Sequence, residues 1–90
     1  MKIGYAHAYN DRGRCKKIIK DYQGAIEDFN TAIELKDDDV EFYFNRGNCK
    51  YDMRDFRGAT HDFDLAINLK DDVPEFYINR GNSYKTIGET

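Results

Sequence analysis

The residues that could do chemistry here are few. His7 and His61 are the only histidines, and Cys15 and Cys49 the only cysteines. A zinc site needs N or S ligands grouped a few positions apart, so that one turn presents two of them. Neither histidine has a Cys or His three or four positions on, so no metal site is expected. Cys15 and Cys49 occupy the same place in two copies of one pattern, 34 residues apart. Equivalent packed helices run roughly 8–10 Å apart, whereas a disulfide needs Cα atoms about 4.4–6.8 Å apart. Both thiols are expected to be buried as small hydrophobes. Asp37-Asp38-Asp39 has the composition of a calcium loop without its alternating ligands or distal Glu; capping of the next helix explains it better. No nucleophile–base–orienter set, glycine-rich phosphate loop or pair of buried carboxylates can be assembled. The sequence reads as non-enzymatic, with no cofactor.

What recurs instead is a set of polar groups. Arg12, Arg46 and Arg80 stand 34 residues apart. Such a ladder could bind phosphates. The reading it favours is that each guanidinium stretches over a packed face and pairs with an acid such as Asp28, Asp62 or the Asp turns. Asn45 and Asn48 recur as Asn79 and Asn82. A carboxamide both donates and accepts, so asparagines on one helix face can grip the backbone of an extended peptide. The alternative is that Asn45 and Asn79 are solvated or hold neighbouring turns.

The elements that position these groups follow from the same period. Tyr9, Tyr43 and Tyr77 are 34 residues apart, as are Gly13, Gly47 and Gly81. Tyr22 maps to Phe56, Ala25 to Ala59, Phe29 to Phe63, Ala32 to Ala66, Ile33 to Ile67 and Leu35 to Leu69. Residues 6–39 and 40–73 agree at 16 of 34 positions, and residues 74–90 repeat the first half of the unit. Each unit reads as two helices. In the second, helix A spans Val40 to about Met53 and helix B spans Phe56 to about Lys70. Phe56, Ala59, Phe63, Ala66 and Ile67 form one helical face. Asp21 and Asp55 precede the B helices as N-caps. Pro74 suits a first helical turn, where its missing N–H costs nothing. Glycine and alanine let helices A and B approach, and the aromatic residues at 43, 56 and 63 fill the gaps.

Composition sets the bounds. Ninety residues, 40% hydrophobic and 34% charged, make one small globular domain rather than a disordered chain. No run of about 18 apolar residues exists to span a membrane, and no signal-peptide core follows Met1, so a cytoplasmic location is expected. A net charge of −3 argues against electrostatic binding of nucleic acid.

The pattern resembles the tetratricopeptide repeat, a 34-residue helix–turn–helix unit, through Tyr43, Gly47, Phe56, Ala59, Phe63, Ala66, Ile67 and Leu69 and their partners in the first unit. It departs from the family in carrying Arg before the small glycine, Asp37 and Asp71 where a proline is common, and Lys20 and Arg54 in place of glycine after helix A. The resemblance implies an all-α, right-handed superhelical stack of about five helices, each unit touching only its neighbours. It also implies a non-enzymatic module whose A helices line a concave groove for a peptide or helix of a partner protein. By position, that groove holds Asn10, Arg14 and Lys17, then Phe44, Asn45, Asn48 and Tyr51, then Ile78, Asn79, Asn82 and Lys85. A subset of the family clamps the carboxylate tail of chaperones with Lys, Asn, Asn, Lys and Arg. Here those places hold Asn10, Arg14, Asn45, Glu75 and Asn79, so only Asn45 matches.

Helix A of the third unit is apolar where a following helix B would pack, at Tyr77, Tyr84 and Ile87. Terminal units ordinarily need a polar outer face. The alternative function is therefore structural self-assembly, with these three residues driving homo-oligomerisation.

Overall fold

In both full units a tight turn leads into a capped second helix. In the computed structural model, which describes residues 2–88, five helices follow one another: α1 (Lys2–Ile18), α2 (Tyr22–Leu35), α3 (Val40–Asp52), α4 (Phe56–Leu69) and α5 (Pro74–Gly88). The helix bounds expected for the second unit fall within a residue of α3 and α4. Residues 89 and 90 of the third unit lie outside the described residues. Asp21 accepts from the backbone N–H of Gly24 at 3.1 Å, and Asp55 from that of Gly58 at 3.0 Å, satisfying a donor that the helix itself cannot.

The A-to-B turns are Schellman motifs. The N–H of Asp21 reaches the carbonyl of Lys16 at 2.8 Å and that of Lys20 reaches Lys17 at 2.9 Å; Asp55 and Arg54 repeat both bonds onto Lys50 and Tyr51. This geometry puts Lys20 and Arg54 at φ 67° and 68°, the left-handed region that glycine tolerates best. The departure from glycine noted in the sequence is thus carried by strained side-chain-bearing residues rather than by a different turn.

Burial is set by small residues facing rings. A Cβ built on Gly13 would stand 2.7 Å from the ring of Phe29, and one on Gly47 the same 2.7 Å from Phe63. Only glycine lets helices A and B close to that distance. Ala6, Ala32 and Phe42 make one core cluster, and Ala25, Phe29 and Cys49 the next. Phe63, Ala59 and Ala66 are sealed in the second unit, and Phe76 brings α5 onto α4. The inter-unit turns are pinned from above: the Tyr43 hydroxyl donates to the Asp37 carbonyl at 2.7 Å and the Tyr77 hydroxyl to Asp71 at 2.8 Å.

The two cysteines part company. Cys49 is buried, but Cys15 is exposed, which corrects the expectation of two buried thiols. Cys49 faces α2, the B helix of the preceding unit, and its thiol donates to the Tyr22 carbonyl at 3.7 Å. Cys15 holds the same place on α1, where no earlier B helix stands among the described residues. Sequence equivalence carried over, but the neighbour did not.

The helices form two layers in a body 44 × 29 × 16 Å across. Helices α1, α3 and α5 make one layer, and α2 and α4 the other. α3 packs on its own B helix, α4, and on the one before it, α2, while α1 packs on α2 and α5 on α4. None of the described helices is long and apolar enough to cross a membrane.

Candidate functional site

The A helices touch one another only lightly, and asparagines make the link. Asn45 Nδ2 on α3 donates to Asn10 Oδ1 on α1 at 3.0 Å, and Asn79 Nδ2 on α5 donates to Asn48 Oδ1 on α3 at 2.9 Å. Asn10 is only 2% exposed. It supports the layer from within and is not available at the surface, contrary to the expectation that it lines the groove. Asn45 and Asn79 are half-buried, and their side-chain amides reach another asparagine instead of a turn; they tie successive A helices together.

Between α3 and α5 this layer opens into a pocket of about 120 Å³, lined by Asn48, Tyr51, Asn79 and Asn82, with Phe63 of α4 beneath. Tyr51 is steadied by an edge-on contact with Phe56, ring centres 5.1 Å apart. Asn82 is exposed. The pocket therefore offers carboxamides that can both donate and accept, beside an apolar floor. Ile78 and Lys85 are exposed on α5 and are not among the residues that line it. Phe44, expected as an open apolar contact, is half-buried and packs between Phe63 and Phe76 at 5.9 and 4.8 Å. It joins α3, α4 and α5.

At the α1 end, Arg14 lies 3.9 Å from Asp11 and 4.0 Å from Glu41, and Lys17 lies 3.5 Å from Asp52. The Arg14 pairs are exposed and the Lys17 pair is partly so, and pairs of this kind hold little energy. His7 stands edge-on to Phe42 and 3.8 Å from Asp39. Among the described residues, no group of three or more His, Cys, Asp or Glu could hold a metal ion.

The arginine ladder is structural. Arg12 chelates Asp28 through Nε and Nη2 at 2.9 and 2.8 Å, and Arg46 chelates Asp62 in the same way at 2.9 and 2.7 Å. Lys16 and Lys50 add a second cation to each carboxylate, at 3.2 and 3.1 Å. The Arg12 hydrogen bond, helped by Lys16, holds Asp28 below the usual carboxylate range against the opposing effect of burial. Each guanidinium also covers a tyrosine or its ring edge: Arg12 over Tyr9 at 5.4 Å, Arg46 over Tyr43 at 5.7 Å, Arg80 over Tyr77 at 5.4 Å. Arg80 departs from the expected partners and donates from Nη1 to Asp64 at 2.9 Å.

Of the residues expected to drive self-association, Tyr77 and Tyr84 are 41% and 54% exposed. Ile87 is half-buried beside Phe56 and Arg57.

Antiparallel helix pairs stacked at a 34-residue period, with α3 held between α2 and α4, define an α-solenoid. Residues 6–53 match the family model described as TPR repeat, and the chain belongs to the tetratricopeptide repeat family. Its fold is shared with solved structures of that kind. The TPR domain of Arabidopsis OM64 is similar at a TM-score of 0.94 and 18% identity, over 99% of this chain and 74% of that one. MamA is similar at a TM-score of 0.90 and 25% identity, over 92% of this chain and 48% of that one. The second TPR of Spaghetti (RPAP3), bound to the HSP90 peptide SRMEEVD, is similar at a TM-score of 0.89 and 23% identity, over 93% of this chain and 78% of that one. None of the curated proteins compared matches the sequence.

Proposed function

We propose that this module binds a peptide or helix of a partner protein along the face of α1, α3 and α5. Members of the family are generally non-enzymatic protein–protein interaction modules, which supports this reading. The observation that carries the groove reading is the pocket between α3 and α5, where Asn48, Asn79 and Asn82 surround an apolar floor. Carboxamides in that setting suit a peptide backbone, which presents donors and acceptors at a fixed repeat. Arg14, Lys17 and Lys85 extend the surface toward acidic side chains.

The peptide held by the Spaghetti domain ends in a carboxylate, and this chain is poorly made for one. Glu75 stands where the clamp has a lysine, and it is exposed. Asn10, at another lysine place, is buried against Asn45. The groove is better suited to an internal segment than to a chain terminus.

The test is a displayed peptide library selected on the protein, with the winners retested on Asn82→Ala and Tyr51→Ala. Among the described residues Asn82 makes no side-chain hydrogen bond, so Asn82→Ala is expected to leave stability intact and to weaken binding roughly tenfold. Asn48→Ala is a poorer probe, because it strips Asn79 of its acceptor. Selected peptides that bind both variants as tightly as the original chain would place the binding surface elsewhere.

A further inference from the structure

Charge is sorted along the helix axes. The α1–α2 and α3–α4 turns lie at one end of the stack, where Lys17 near the end of α1 reaches Asp52 at the end of α3 at 3.5 Å. Residues 15–23 and 49–57, which make that end, hold six cations (Lys16, Lys17, Lys20, Lys50, Arg54 and Arg57) and three acids. The inter-unit turns, residues 34–41 and 70–75, hold eight acids and two cations. The net charge of −3 thus averages a cationic end and an acidic one. Among the described residues Lys20, Arg54 and Arg57 pair with no acid.

The cationic end is apolar at its tips. Ile18 and Ile19 are 79% and 74% exposed, and Met53 is 39% exposed. Met53 repeats Ile19 34 residues on, and it stays exposed although α2 packs in front of α3. Exposure here is therefore a property of the turn and does not depend on which helix comes before it. Lys20 and Arg54, next in sequence, hold φ 67° and 68°. Glycine would relieve that strain, yet both turns keep a long cation. Strain repeated at one place points to a use for the side chain. A hollow of about 340 Å³ on the same end is lined by Arg54, Asp55, Phe56, Arg57 and Ile87, so two guanidinium groups stand at its rim.

We propose that this end of the stack docks on an anionic lipid bilayer. Ile18, Ile19 and Met53 enter the boundary between headgroups and acyl chains, while Lys20, Arg54 and Arg57 meet the headgroups. Aliphatic tips interleaved with cations are what select a bilayer. A single-stranded nucleic acid needs aromatic faces to stack on, and the rings of Tyr22 and Phe56 at this end are half-buried. An acidic loop would satisfy the cations and leave Ile18 and Ile19 in water. The acidic turns at the far end are repelled by the same surface, so the charge separation also sets the orientation of approach. The asparagine pocket between α3 and α5 is built from other residues, and failure of lipid docking would leave the groove reading untouched.

The probes are two sets of extruded vesicles, phosphatidylcholine alone and phosphatidylcholine with about 30% phosphatidylserine to give a negative surface potential. Cosedimentation of the intact protein should show saturable binding to the second and little to the first, and the binding should fall as salt rises. Lys20→Gly combined with Arg54→Gly should weaken it roughly thirtyfold, although the protein then melts at an unchanged or higher temperature. Ile18→Ser combined with Ile19→Ser should weaken it roughly tenfold at an unchanged melting temperature, because both side chains are exposed. The chain has no tryptophan, so Ile19→Trp supplies a single reporter whose emission should shift to the blue on the anionic vesicles. No sedimentation with those vesicles, or no blue shift, overturns the proposal. So does binding that the isoleucine changes leave at full strength, which would make this end a surface for soluble polyanions. Equal binding to phosphatidylcholine alone overturns it too, since the cations would then have no part.

Discussion

Arg46 on α3 clasps Asp62 on α4 with Nε to Oδ2 at 2.9 Å and Nη2 to Oδ1 at 2.7 Å, and the carboxylate beneath it is fully buried. Arg80 meets Asp64 through one nitrogen only, with 31% and 44% of the two side chains exposed. The same residue type at the same repeat position therefore has two very different weights. Breaking a buried pair leaves an uncompensated charge and costs about 3–5 kcal/mol; an exposed pair is worth about 0–1 kcal/mol. Lys50 at 3.1 Å from Asp62 places the buried case at the lower end. Arg46→Ala should lower stability by about 3 kcal/mol and Arg80→Ala by under about 1 kcal/mol, read from urea midpoints. Equal losses would mean that burial does not govern the ladder.

Asp28 gives the ladder a pH dependence. The hydrogen bond from Arg12 depresses its folded-state pKa below the unfolded value. A depressed carboxylate contributes stability that is present above the unfolded pKa, about 3.9, and is lost as pH falls through the lower folded value. The stability gap between the natural chain and Asp28→Asn should therefore be constant from about pH 7 to about pH 5 and shrink below about pH 4. Urea unfolding of both chains across that range measures it. A gap that stays the same at about pH 3 would show that Asp28 carries none of the acid sensitivity.

Most of the fold was legible because it depends on a 34-residue period. Gly47 against Phe63 and Arg46 against Asp62 repeat Gly13 against Phe29 and Arg12 against Asp28, so between the two full units these contacts recur with the spacing. The candidate site was less legible. Asn10 meets Asn45 and Asn48 meets Asn79 at separations of 35 and 31 residues. Those pairings depend on how one A helix is rotated and shifted against the next, a quantity that periodicity leaves open. Phe44 was misplaced for the same reason. Its neighbour Phe76 lies on the next A helix, and only the packed structure shows that the ring turns inward.

The two thiols offer a direct check on the packing. Burial pushes the Cys49 thiol up to about 11, while Cys15 is exposed. A thiolate is the reactive form, so a maleimide at about pH 8 should label Cys15 promptly and Cys49 only at the rate of unfolding. Because the folded pKa is raised, the burial of Cys49 contributes stability that is intact below the unfolded thiol pKa, about 8.5. That contribution is lost as pH climbs toward about 11. Mass spectrometry of the labelled chain reads the outcome. Equal labelling rates at both cysteines would mean that α2 and α3 do not seal Cys49.

Lys20 is the place where the sequence works against its own turn. Its φ of 67° is required by the Schellman bonds from Lys20 and Asp21 back to Lys17 and Lys16, and a Cβ in that region costs about 1–2 kcal/mol. Glycine removes the strain but returns part of the gain through the greater freedom of its unfolded chain. Lys20→Gly should therefore stabilise by about 1 kcal/mol, a rise in melting temperature of about 5 °C for a domain of this size. Arg54, at φ 68°, faces the same strain, but its guanidinium lies over the Phe56 ring at 5.4 Å. Arg54→Gly forfeits that contact and should gain less. Thermal melts of the two variants followed by circular dichroism separate the contributions. If Lys20→Gly melts lower than the natural chain, the turn is held by something other than backbone conformation.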